Sequence, residues 1–207
     1  MSDVTPIRDP KNDSLLTPQN AVLALIDYQP EQYAGVRSVG QDELLAHVTL
    51  LGRVATTFGL PVVLSTVYVK HGMTGTNPEL REALPGIPEI DRTSMNSWED
   101  PDFRAAVERT QRKKLILAGL WTEVCVAFPA LDAIRAGYQV YVVSDAIGGV
   151  SRVAHESAMQ RMIQAGAMPI TVLGLACELQ RDWGRPDADR LRRIMREYFS
   201  KIRALQE

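Results

Sequence analysis

The sequence predicts a three-layer, doubly wound α/β fold on a six-stranded parallel sheet. Three observations carry that expectation. Short apolar runs alternate with segments of helical spacing along nearly the whole chain. The runs are almost continuously apolar, as in strands covered on both faces. The helical segments carry end signals: Asp100-Pro101 at one start, Gly137 and Gly166 just past two ends. The doubly wound order for such a pattern is 3-2-1-4-5-6.

The elements follow in turn. Residues 21–26 form an apolar strand that ends in Asp27. Leu44, Val48, Leu51, Val54, Ala55 and Phe58 mark a helix over 44–58, and the β-branched segment 61–67 reads as the second strand. A short helix over 79–84 leads through 85–90 to a short third strand near Glu89 and Ile90. A helix from Asp100 to about Arg109 precedes the fourth strand at 114–118. Helix 122–136, strand 138–143, helix 152–165 and a last strand at 169–173 complete the alternation.

No repeat, low-complexity stretch or domain boundary interrupts the pattern, so 1–207 reads as one domain with a helical extension from about 183. In that extension Leu191, Ile194, Met195, Tyr198, Phe199, Ile202 and Leu205 form an apolar stripe. It suits packing on its own domain or on another subunit equally well.

Composition narrows the function classes. Hydrophobic residues make up 45% of 207, enough for a substantial core. A net charge of −2 points to neither nucleic acid nor an anionic membrane as partner. No apolar run approaches a membrane span, and the polar, proline-punctuated first ten residues lack a signal-peptide core. Two distant cysteines make no disulfide framework, so a reducing cytoplasm is the expected compartment.

Polar residues at the carboxyl ends of the strands suggest chemistry. Cys125 follows the fourth strand in Gly119-Leu120-Trp121-Thr122-Glu123-Val124-Cys125-Val126, where helical spacing begins. Free N–H groups at a helix start favour a thiolate and can bind an oxyanion. Cys125 is therefore expected to be the reactive cysteine, and Cys177 the inert one. Asp27, ending the first strand, faces Cys125 across the switch point between strands one and four. Arg92, ending the third strand, is placed to pair with Asp27 and favour the thiolate. Lys113 and Lys114 precede a strand and are expected to be surface charges.

These residues carry a resemblance. Asp27-x-Gln29, the Gly119-x-x-Thr122-x-x-Cys125-Val126 segment and Val142-Val143-Ser144-Asp145-Ala146 resemble the motifs of the isochorismatase-like cysteine hydrolases. The likeness runs from about Asn20 to Trp183. It is marked toward the YcaC-like branch by 122–131 and by Ala176-Cys177-Glu178-Leu179-Gln180-Arg181-Asp182-Trp183. The resemblance implies an acid–cation–cysteine triad of Asp27, Arg92 and Cys125, acting through a covalent thioester-type intermediate on a C–N bond of a small amide or carbamoyl compound. It implies a cis Leu120–Trp121 bond, an oxyanion site at Trp121 and Thr122, and assembly into a tetramer or octamer. Gln29, Tyr28, Trp98 and Phe128 are candidate substrate contacts, although Trp98 and Phe128 suit the core or an interface equally well.

The chain departs from the wider family twice. Arg92 stands where a lysine is usual; it supplies charge and orientation but cannot release a proton. The zinc ligands of nicotinamidases have no counterpart among His47, His71 and His155, so neither metal nor other cofactor is expected. His47 and His155 fall within helices and read as structural, whereas His71 is a candidate for the pocket wall. Two classes of function remain: a metal-independent cysteine hydrolase, and a non-catalytic oligomeric scaffold on the same fold. No glycine-rich turn follows the first strand to support a dinucleotide-binding dehydrogenase, and no second acid near Asp27 supports a phospho-aspartyl enzyme.

Overall fold

The computed structural model describes residues 6–206, so the first five residues of the polar N-terminal stretch lie outside it. The strands are β1 (Ala21–Ile26), β2 (Val62–Val67), β3 (Glu89–Arg92), β4 (Lys114–Gly119), β5 (Gln139–Val143) and β6 (Met168–Ile170). They form one six-stranded sheet of order β3-β2-β1-β4-β5-β6, and every adjacent pair is parallel. All residues of β1 and β4 are buried, which is why their sequences show no alternation. Their register pairs Ala21 with Lys114 and Ile26 with Gly119, so both strands end level. Gly119 permits this close approach, since a Cβ there would lie 2.7 Å from the Ile26 carbonyl oxygen.

The helices are α1 (Pro30–Gly35), α2 (Gln41–Phe58), α3 (Pro78–Ala83), α4 (Pro101–Arg109), α5 (Ala127–Arg135), α6 (Arg152–Ala165), α7 (Val172–Gln180) and α8 (Ala188–Gln206). Local chemistry explains their ends. Asp100 accepts the Phe103 N–H at 2.9 Å and Ser151 accepts that of Ala154 at 3.1 Å. Gly59 and Gly166 close α2 and α6 at φ 63° and 109°.

Three expectations change. The last strand stops at Ile170, because the Thr171 hydroxyl accepts the Gly174 N–H and starts α7. The helix expected from 122 begins as a π-helical turn, Thr122–Val126, before α5. Lys114 is buried rather than a surface charge. Its ammonium donates to the carbonyls of Asp13, Ser14 and Leu15 at 2.7, 3.0 and 2.8 Å, fastening the N-terminal segment beneath β4. Lys113 lies 5.7 Å from the Tyr138 ring.

The inner part of the α8 stripe packs on its own domain. Leu191 and Ile194 are buried, and Met195 and Tyr198 pack on the core, with Tyr198 against His47 of α2. Phe199 and Leu205 are 45% and 43% exposed. Ion pairs Arg53–Glu197 and Lys201–Glu79 border α8 where it meets α2 and α3. A groove of about 590 Å³ lies there, and its lining includes none of Asp27, Arg92 and Cys125. Among the described residues no helix is long and apolar enough to cross a membrane.

Candidate active site

The topology gathers at one edge of the sheet the ends of β1 and β3 and the turn that follows β4, and each delivers one polar side chain. Asp27 follows β1 with φ 59°, a left-handed conformation that aspartate tolerates better than branched or bulky residues. Its N–H donates to the Ser65 carbonyl at 2.9 Å, which locks the turn against β2. Arg92 ends the edge strand β3, and its long side chain spans the end of β2. Its Nη2 donates to Asp27 Oδ2 at 2.6 Å, with both side chains fully buried. Cys125 sits in the π-helical turn after β4 and is 8% exposed.

The three groups are electrostatically coupled. Burial raises the Asp27 pKa; the Arg92 charge and the approaching Cys125 thiol oppose that rise. Arg92 holds Asp27 Oδ2 and leaves Oδ1 unbonded by it, and the Cys125 thiol lies beside the carboxylate. The Cys125 thiol is pushed up to about 12 by burial, by the Asp27 charge and by its hydrogen bond to that carboxylate. Arg92 and the Trp121 backbone N–H, which points at the sulfur, pull the other way and lose. The resting pair is a neutral thiol beside a carboxylate held by a guanidinium. This corrects the expectation of a stabilised thiolate: the Trp121 N–H and Arg92 favour it, but burial and the adjacent anion outweigh them. Cys177, by contrast, is exposed.

The remaining candidate residues lie in different surroundings. The Leu120–Trp121 peptide bond is cis. The Trp121 indole N–H donates to the Gln32 carbonyl at 2.8 Å. Thr122 is buried, and its hydroxyl meets His155 Nδ1 at 2.9 Å. The Gln29 amide is consumed structurally: it donates to the Val67 and Thr74 carbonyls at 3.0 and 2.7 Å and accepts the Val67 N–H at 2.8 Å. Tyr28 is wholly buried and its hydroxyl donates to the Ala146 carbonyl. Trp98 packs edge-on against Tyr138, ring centres 5.3 Å apart, and belongs to the core. Phe128 is half-buried beside Met95, Asn96 and Asp132 in a shallow depression that Cys125 does not line.

The histidines disperse. His47 is buried in α2, His71 is exposed and stacks on Tyr68 at 4.5 Å, and His155 lies in α6. Among the described residues no three His, Cys, Asp or Glu side chains gather as a metal site. The pairing of His155 with Thr122 was invisible in sequence, since 33 positions separate them and no spacing rule joins them.

With this geometry in view, the relatives decide the lineage. The isochorismatase domain model matches residues 21–173. The chain belongs to the isochorismatase family. Within it, the probable hydrolase YcaC of Escherichia coli strain K12 is 40% identical over 195 residues, covering 92% of this chain and 91% of that protein. The crystal structure of the E. coli YcaC gene product, described as an octameric hydrolase of unknown specificity, superposes with a TM-score of 0.86 at 39% identity, over 94% of this chain and 95% of that one. YcaC from Pseudomonas aeruginosa, solved with hexane-2,5-diol and covalent acrylamide, gives 0.84 at 35% identity, over 94% and 98%. The resemblance to YcaC-like hydrolases read from the motifs is thus confirmed.

Proposed function

We propose that this protein is a cysteine hydrolase that cleaves a C–N bond in a small amide or carbamoyl compound. The observation that carries the reading is the convergence of Cys125 with the buried Asp27–Arg92 pair at the carboxyl edge of the sheet. Asp27 accepts the Sγ proton through Oδ1, the oxygen not held by Arg92. The sulfur forms a bond to the substrate carbonyl carbon, whose π electrons move to oxygen. The Trp121 N–H, already aimed at the sulfur, stabilises that oxyanion. Collapse breaks the C–N bond, and the leaving amine takes the proton from Asp27. Water then attacks the thioester, gives its proton to Asp27, and the C–S bond breaks. The departing sulfur recovers the proton.

The raised pKa of Asp27 suits it to this exchange, since a stronger base deprotonates a thiol more readily. Arg92 takes no proton in the cycle; it orients the carboxylate and balances charge. The P. aeruginosa relative's covalent acrylamide supports a nucleophile in such proteins, because acrylamide is an acceptor for thiol addition. We also infer a homo-oligomer, from the octameric E. coli relative and from the exposed outer half of α8; static light scattering showing a monomer at micromolar concentration would reject it.

The test is ammonia release from a panel of small amides, nitriles and carbamoyl compounds. Cys125→Ala should abolish any activity found and Cys177→Ala should retain it. The protonated resting thiol also suits a non-catalytic scaffold. Folded, assembled protein that releases no ammonia across the panel would favour that second reading.

A further inference from the structure

The turn that carries Cys125 is fastened from one side by residues far away in sequence. The Thr122 N–H donates to the Gly148 carbonyl at 2.9 Å, and Glu123 Oε1 accepts the Val150 N–H at 3.0 Å. The Thr122 hydroxyl, buried with the rest of its side chain, has His155 Nδ1 at 2.9 Å. These three ties hold two successive residues of the turn to the 148–150 loop and to the first turn of α6. The loop is itself held, since Arg37 N–H donates to the Gly149 carbonyl at 3.0 Å and Gly149 N–H donates to Ser38 Oγ at 2.9 Å. Packing there is tight: a Cβ on Gly149 would lie 2.5 Å from Glu123 Oε2 and 3.1 Å from His155 Cβ.

We propose that His155 is a positioning residue for Cys125, holding the nucleophile's turn in place through the Thr122 hydroxyl. The inference rests on Cys125 being the nucleophile. Thr122 adjoins Trp121, whose N–H points at the sulfur, and stands three residues before Cys125. Fixing Thr122 therefore fixes the relation between donor and sulfur. In this reading the Thr122 hydroxyl donates and Nδ1 accepts, which goes with a neutral imidazole whose proton is on Nε2. Burial favours that state, and the Glu123 and Glu156 carboxylates oppose it less strongly. Without the acceptor, a buried hydroxyl has no partner and the turn must shift to find one.

The test reads the rate of Cys125 alkylation by iodoacetamide at pH 9, by mass spectrometry, in a Cys177→Ala background. His155→Leu should slow it by about tenfold, as should Thr122→Val, on the scale of one lost hydrogen bond. His155→Asn, which carries an acceptor near the Nδ1 position, should restore the rate to within about threefold of the parent. The His155→Leu/Thr122→Val double variant should be no slower than either single variant, since both remove the same bond. An unchanged or faster rate in Thr122→Val overturns the proposal, as does equal slowing by Asn and Leu, or additive slowing in the double variant. If His155→Leu does not fold, Thr122→Val and His155→Asn carry the test. No amide turnover enters the readout, so a protein that cleaves no amide refutes the hydrolase reading while leaving this result standing.

Discussion

Asp27→Asn should make the Cys125 thiol more acidic and yet stop catalysis. The substitution is nearly isosteric, and asparagine tolerates the φ of 59°. It deletes the carboxylate charge and the hydrogen bond that hold the proton on sulfur, and it leaves burial, Arg92 and the Trp121 N–H unchanged. With the thiol near 12, about one molecule in ten thousand is thiolate at pH 8. An adjacent like charge accounts for roughly 1–3 pKa units, so its removal should raise the thiolate fraction by about 10- to 1000-fold. The newly unpaired Arg92 acts in the same direction. Alkylation by iodoacetamide, followed from pH 7 to 11 in a Cys177→Ala background, reports the change as a curve displaced to lower pH. Turnover of any substrate should fall, because no base remains to accept the proton and return it to the leaving amine. Alkylation that stays the same or slows would refute the electrostatic account, and retained turnover would refute Asp27 as the base.

Arg92→Leu leaves the Asp27 carboxylate buried and alone, and should cost about 3–5 kcal/mol in denaturant unfolding; adding Asp27→Asn should recover part of that loss. Unmodified protein should be labelled by iodoacetamide at exposed Cys177 before buried Cys125, as peptide mapping after timed quenching would show. Burial raises the Asp13 pKa, but the Leu15 N–H and Arg181 outweigh it and hold the group below 3.8. A depressed carboxylate contributes stability above its unfolded pKa and loses it as pH falls through the folded value. Asp13→Asn should therefore lower Tm at pH 6 and narrow the gap to the parent on acidification below about pH 4.

The sequence by itself determined the architecture, the family and the three polar strand ends. Strands buried on both faces must be apolar throughout, so β1 and β4 announce themselves, and a doubly wound sheet sets their carboxyl ends together. Helix ends were readable at Asp100, Gly137 and Gly166 because capping depends on a few adjacent residues. The overrun of the last strand past Ile170 has a local cause: Thr171 and the apolar residues after it suit a strand and a capped helix alike until packing chooses.

Only the tertiary structure decided what each polar group experiences. Lys114 looked like a surface charge until the N-terminal segment folded three carbonyls onto it. Gln29 and Tyr28 sit beside Asp27 in sequence, yet their polar atoms bond the backbone at 67, 74 and 146. The ionisation of Cys125 departs from the sequence expectation for the same reason. Its position at a helix start is local and readable, whereas its burial and the nearness of Asp27 arise from elements about a hundred residues away in the chain. Hydrogen-bond partners and desolvation are properties of neighbours in space, and the linear sequence shows those neighbours only where they are also neighbours along the chain.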